Sequence, residues 1–104
     1  MKKVIERIAA YAVTVADPEK IILFGSMANE TNDVYSDLDL LIVTDRSSDK
    51  RQIIEQISQF AQELAMTADV IVCSKRDLEN VSEERFSLLG GILKSGKIIY
   101  KKAE

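Results

Sequence analysis

The segment Ser36-Asp37-Leu38-Asp39-Leu40-Leu41-Ile42-Val43 constrains this chain more than any other, because it sets two carboxylates into the opening of an apolar run. The run is rich in Leu, Ile and Val and reads as a β-strand. Successive strand residues point to opposite faces, so Asp37 and Asp39 fall on one face with Cα atoms about 6.5–7 Å apart. Placing them there is costly, since like charges repel and each carboxylate is partly desolvated. A positive counter-charge removes that cost, and Mg²⁺ suits it, because it takes oxygen ligands and keeps positions for substrate phosphates. Two solvated residues on the exposed face of a half-buried strand are the plainer alternative.

A second short apolar run, Ile21 to Phe24, leads into Gly25-Ser26. Such a strand-to-helix turn offers backbone N–H groups and a hydroxyl to an anion, and glycine lets a phosphate approach the chain. A tight turn with Ser26 as a helix N-cap would explain the pair equally well. A tight turn does not, however, require an Asp-x-Asp strand ten residues downstream. An anion cradle beside a carboxylate pair is the minimum equipment for handling a nucleoside triphosphate. Holding two metal ions calls for a third carboxylate. Asp69 is the best placed, since it opens the strand Asp69 to Cys73, whereas Asp45, Asp49, Asp77 and Glu79 fall in loops or on helices. The alternative for Asp69 is a residue that simply begins a strand near solvent.

Around these residues the periodicity predicts a helix from Lys2 to Ala16, with Val4, Ile5, Ile8, Ala9, Ala12 and Val15 inward. A second helix is expected from about Asp49 to Ala65, burying Ile53, Ile54, Ile57, Phe60, Ala61 and Leu64. It is long enough to cross over between parallel strands and so bring Asp37 and Asp69 to one edge. Ser74 reads as an N-cap with Asp77 three residues on. A last helix from about Ser82 to Leu93, weakened by Gly90-Gly91, is ended by Gly96 before a short strand, Lys97 to Tyr100. The expected fold class is α/β (α+β), a single mixed sheet flanked by helices in one domain over residues 1–104.

Composition narrows the chemistry. The 104 residues include no histidine and one cysteine, which removes Ser-His-Asp and Cys-His machinery, His-ligated zinc and any internal disulfide. Cys73, on the third strand, is expected in the core. Lys and Arg number 14 against 17 Asp and Glu, a net charge of −3 with a pI near 5.0. Mixed charge of this kind does not suit a direct grip on a nucleic-acid backbone. No apolar run approaches the roughly 18 residues of a membrane span, and the expectation is a cytoplasmic protein.

Gly25-Ser26, then ten positions, then Asp37-Leu38-Asp39-Leu40, with Asp69 on a later strand, resemble the nucleotidyltransferase superfamily that includes DNA polymerase β and the kanamycin nucleotidyltransferases. The size resembles the minimal nucleotidyltransferase (MNT) domains often encoded beside a helical HEPN partner. The resemblance implies that Gly25 and Ser26 bind the triphosphate and that Asp37, Asp39 and Asp69 are catalytic and hold two Mg²⁺ ions, Asp69 also serving as the base for the attacking hydroxyl. It implies transfer of a nucleoside monophosphate, AMP from ATP or a related triphosphate, to an acceptor such as a tyrosine of a HEPN toxin, with this chain as the antitoxin. Many relatives continue the turn as Gly-Ser-x-Ala-Arg-Gly, whereas here Asn29 and Glu30 replace the arginine and glycine. A phosphate-holding cation is therefore absent from that turn. This leaves open lower nucleotide affinity, altered nucleotide choice, or an antitoxin that neutralises its partner mainly by binding. So short a chain has little room for an acceptor platform, so the missing half is expected from another chain, in a homo- or hetero-oligomer.

Overall fold

The computed structural model describes residues 2–25, 38–46, 49–79 and 87–103. Helix α1 spans Lys2–Ala16, and its expected apolar stripe faces inward, with Ile8, Ala12 and Ala16 fully buried. The helix stops at Asp17, whose left-handed φ of 44° turns the chain out and whose N–H donates to the Val13 carbonyl at 3.1 Å. Pro18 follows and cannot continue a helix.

Strand β1 (Lys20–Phe24) and strand β2 (Leu38–Val43) pair antiparallel, Ile22 opposite Leu41 and Phe24 opposite Asp39. Helix α2 (Lys50–Glu63) then carries the chain over to strand β3 (Ala68–Cys73), which lies parallel to β2. Parallel neighbours need such a crossover, so the length of the 44–67 connection is explained. Helices α3 (Lys75–Glu79) and α4 (Ser87–Ser95) precede strand β4 (Lys97–Lys101), which pairs antiparallel with β1. The strand order is β3-β2-β1-β4. The expected mixed sheet flanked by helices is borne out.

Alternation along the strands divides the apolar residues between two layers. Ile21, Leu23, Leu38, Leu40, Ile42 and Val72 pack under α1 and α2, against Ile8, Ala12, Ile53, Ile57 and Ala61. Tyr11 and Phe60 join those two helices as a stacked pair, centroids 4.3 Å apart and rings 2° from parallel. The opposite face gathers Ile22, Leu41, Val43 and Cys73 under Leu89 and Ile92 of α4. Because β2 is covered on both faces, it reads as a continuous apolar run instead of an alternating one. Each fully buried Leu or Ile contributes about 1.5–3 kcal/mol.

The element ends follow local chemistry. Ser74 and Asp77 form a reciprocal cap: the Asp77 N–H donates to Ser74 Oγ at 3.1 Å, and the Ser74 N–H donates to Asp77 Oδ2 at 3.0 Å. Helix α2 ends with Ala65 at a left-handed φ of 61°, its N–H donating to the Gln62 carbonyl while the Met66 N–H donates to that of Ala61, each at 2.9 Å. Helix α4 runs through Gly90-Gly91 and ends at Gly96, as expected. The Gly96 N–H donates to the Ile92 carbonyl at 2.7 Å, and a Cβ there would stand 2.6 Å from that same oxygen. The first part of the expected helix, 82–86, lies outside the described residues. Among the described residues, no helix is long and apolar enough to cross a membrane.

Candidate active site

The sheet gathers the expected residues at one end. Strand β1 finishes there, while β2 and β3 begin there, so Phe24-Gly25, Asp39 and Asp69 come from three neighbouring strands. Asp39 is directly in register with Asp69. Residues in register share a face, and adjacent strands lie about 4.8 Å apart, so the two carboxylates are neighbours. That face is the one covered by α4, since Asp39 alternates with Leu41 and Val43. Asp39 is half-buried and Asp69 exposed.

Gly25 closes this end. Its φ of 77° lies in the left-handed region, where a side chain is strained. A Cβ built on Gly25 would collide with Asp39 Oδ2 and would stand 3.1 Å from the carboxyl carbon. The glycine is thus required twice, by its backbone angle and by the space the Asp39 carboxylate occupies. Close approach of a glycine was expected from the Gly-Ser pair, but toward a phosphate. The contact with Asp39 depends on the β1–β2 register, which no local pattern displays.

Ser26 and Asp37, together with Asn29 and Glu30, lie outside the described residues. Asp39 and Asp69 are therefore the described members of the carboxylate set. Among the described residues, no three His, Cys, Asp or Glu side chains gather into a metal-binding group. The two carboxylates that do meet fit a hard divalent cation: they are all-oxygen donors, of like charge, side by side at a strand edge. Asp45, Asp49, Asp77 and Glu79 stand in turns, at a helix cap or on α3, away from this register.

Cys73 marks the far end of the same face. It is buried, as expected, and burial together with the nearby Asp77 carboxylate pushes its thiol up to about 11, with Lys50 pulling weakly the other way. A thiol so held is a packing group and not a nucleophile.

A mixed four-stranded sheet with helices on both faces and acidic residues opening its parallel pair defines the nucleotidyltransferase fold. The chain belongs to the family described as "Polymerase beta, Nucleotidyltransferase", which matches residues 6–104. Solved structures agree on the fold. One is a toxin–antitoxin crystal structure with AMP-PNP, similar at a TM-score of 0.68 and 20% identity over 93% of this chain and 73% of that one. A mutant of the toxin–antitoxin MntA-HpeT is similar at 0.65 and 17% identity, over 93% and 73%. A protein of Sulfolobus solfataricus assigned to the nucleotidyltransferases is similar at 0.63 and 18% identity, over 96% and 79%. No curated protein matches the chain in sequence. The expected nucleotidyltransferase fold is borne out.

Proposed function

We propose that this chain is a Mg²⁺-dependent nucleotidyltransferase that moves AMP from ATP to a hydroxyl of a protein partner, and that it acts as an antitoxin in the cytoplasm. The observation that carries the reading is the pairing of Asp39 with Asp69 across β2 and β3, with Gly25 packed against the Asp39 carboxylate. Support for a toxin partner comes from the two toxin–antitoxin structures that share the fold, one of them holding AMP-PNP. The partner proposed is a helical HEPN-type protein with a tyrosine as acceptor.

In this reading Asp37, Asp39 and Asp69 hold two Mg²⁺ ions, and Gly25 and Ser26 bind the triphosphate through the turn. Bound metal supplies neutralising charge for the pyrophosphate that leaves. Asp69, exposed at the start of β3, takes the proton of the acceptor hydroxyl. The acceptor oxygen forms a bond to the α-phosphorus as the bond from that phosphorus to the bridging oxygen of the β-phosphate breaks. The products are the AMP ester and pyrophosphate. Residues 1–104 act as one domain that binds the nucleotide and leaves presentation of the acceptor to the partner.

Incubating the chain with ATP, Mg²⁺ and the product of the adjacent gene tests this by intact mass. The expected result is an AMP-sized increase on the partner that is lost in Asp39→Asn and Asp69→Asn. Neutralisation of the partner that survives both substitutions, with no mass change, would contradict it and favour the binding-only antitoxin that the Asn29-Glu30 turn leaves open.

A further inference from the structure

The far edge of the sheet carries a second surface. Strand β4 ends the strand order and, among the described residues, pairs on one side only, with β1. Its Ile98 stands opposite Ile22 and is 53% exposed; with Leu93 of α4, 39% exposed, it makes up the exposed large apolar side chains among the described residues. Lys94, Lys97 and Lys101 lie near them in sequence, all exposed, with Lys97 on the other face of the sheet because it stands opposite Leu23, and no acidic residue occurs between Ile92 and Ala103. Lys101 lies directly opposite Lys20 of β1. Like charges placed directly opposite each other destabilise a sheet. Lys20 shares the face of Ile22, so Lys101 and Ile98 share it too, the β4 register having shifted between Ile21 and Ile22. The nearby ion pair, Lys102 with Asp17, leaves Lys94, Lys97 and Lys101 without one among the described residues.

We propose that the β4 edge receives an extended acidic segment of a partner protein as a fifth strand, with carboxylates set against Lys97 on one face of the sheet and Lys101 on the other, and an apolar side chain over Ile98. Strand addition satisfies the open backbone groups of β4, and the side chains select the partner. Charge argues against a second copy of this chain. Antiparallel self-pairing centred on Ile99 sets Lys97 opposite the other copy's Lys101 twice, and parallel self-pairing in register sets each lysine against itself. Lysines on an edge strand are a known guard against self-association, and the same charge that repels a copy attracts an acidic strand. This edge lies across β1 from Asp39 and Asp69, and the proposal does not rest on the transfer chemistry.

The test titrates a synthetic strand peptide with glutamates spaced to oppose Lys97 and Lys101 and a valine to oppose Ile98 into the isotope-labelled full chain, with the same peptide carrying lysine for glutamate as control. The acidic peptide is expected to shift residues 97–101 and slow their amide exchange, with affinity falling at high salt. The double variant Lys97→Glu/Lys101→Glu should bind it at least about tenfold more weakly and accept the basic peptide instead. Ile98→Ser should weaken binding while leaving the exchange of β1 and β2 amides unchanged. Equal binding of the two peptides, no perturbation of residues 97–101, or concentration-dependent dimerisation through β4 would each overturn the proposal.

Discussion

The two ends of β2 set polar groups into the same apolar strand and handle them in opposite ways. Just past its last residue, Thr44 is fully buried, its hydroxyl donating to the Ala16 carbonyl at 2.6 Å and accepting the Arg46 N–H at 3.0 Å. The chain completes that group with its own backbone, tying α1 to the β2 exit. Near the other end, Asp39 is set beside a second carboxylate, Asp69, and above a residue that must lack a side chain. A hydroxyl closed by backbone groups ties the fold together, whereas Asp39 and Asp69 bring like charge together from two strands. Like-charged groups brought together by separate strands at one sheet end mark a candidate site.

The comparison can be broken at either end. The largest effect is expected from the thiol that shares the structural end, because the Thr44 N–H donates to the Cys73 carbonyl at 2.9 Å. With the thiol raised from 9.0 to about 11, its thiolate fraction near pH 8 falls about 100-fold, and alkylation should slow in proportion. The unfolded chain releases this proton near pH 9 and the folded chain near 11. Its contribution to stability is therefore full below pH 9 and lost as the pH rises through 11. Rapid labelling at pH 8 without unfolding would contradict that placement. Next, Gly25→Ala should weaken Mg²⁺-dependent nucleotide binding by at least about tenfold, since the left-handed backbone alone costs roughly 1–2 kcal/mol for a side chain. Calorimetric titration would measure it. The smallest effect falls on stability alone: Thr44→Val should lower unfolding free energy by about 1–3 kcal/mol in urea, with nucleotide affinity unchanged. If it lowered affinity as much as Gly25→Ala, the two ends would not be separable.

Much of this was legible in the sequence, and for identifiable reasons. The stripes of α1 and α2, the Ser74–Asp77 cap and the stop at Gly96 are local, and each depends on residues within a turn or two of one another. The crossover between β2 and β3 followed from the length of one connection. Less legible was anything decided by long-range pairing. That β1 lies inside the sheet, that β4 forms an edge, and that Asp69 meets Asp39 in register are consequences of strand order, which periodicity does not encode. The weak point at Gly90-Gly91 did not end α4, because Leu89 and Ile92 on either side are anchored in the core and packing outweighs propensity. Ser26 and Asp37 lie outside the described residues and rest on the sequence pattern.

The central claim is that the Asp39–Asp69 end binds nucleotide through metal held by carboxylates. Titration of AMP-PNP into the wild-type chain and into Asp69→Asn, each with and without Mg²⁺, tests it most directly. Asp69 is exposed, so its substitution should shift unfolding free energy by no more than about 0.5 kcal/mol. The account predicts binding by the wild type that requires Mg²⁺ and is lost in the folded variant. Binding of equal strength without Mg²⁺, or undiminished in Asp69→Asn, would contradict it.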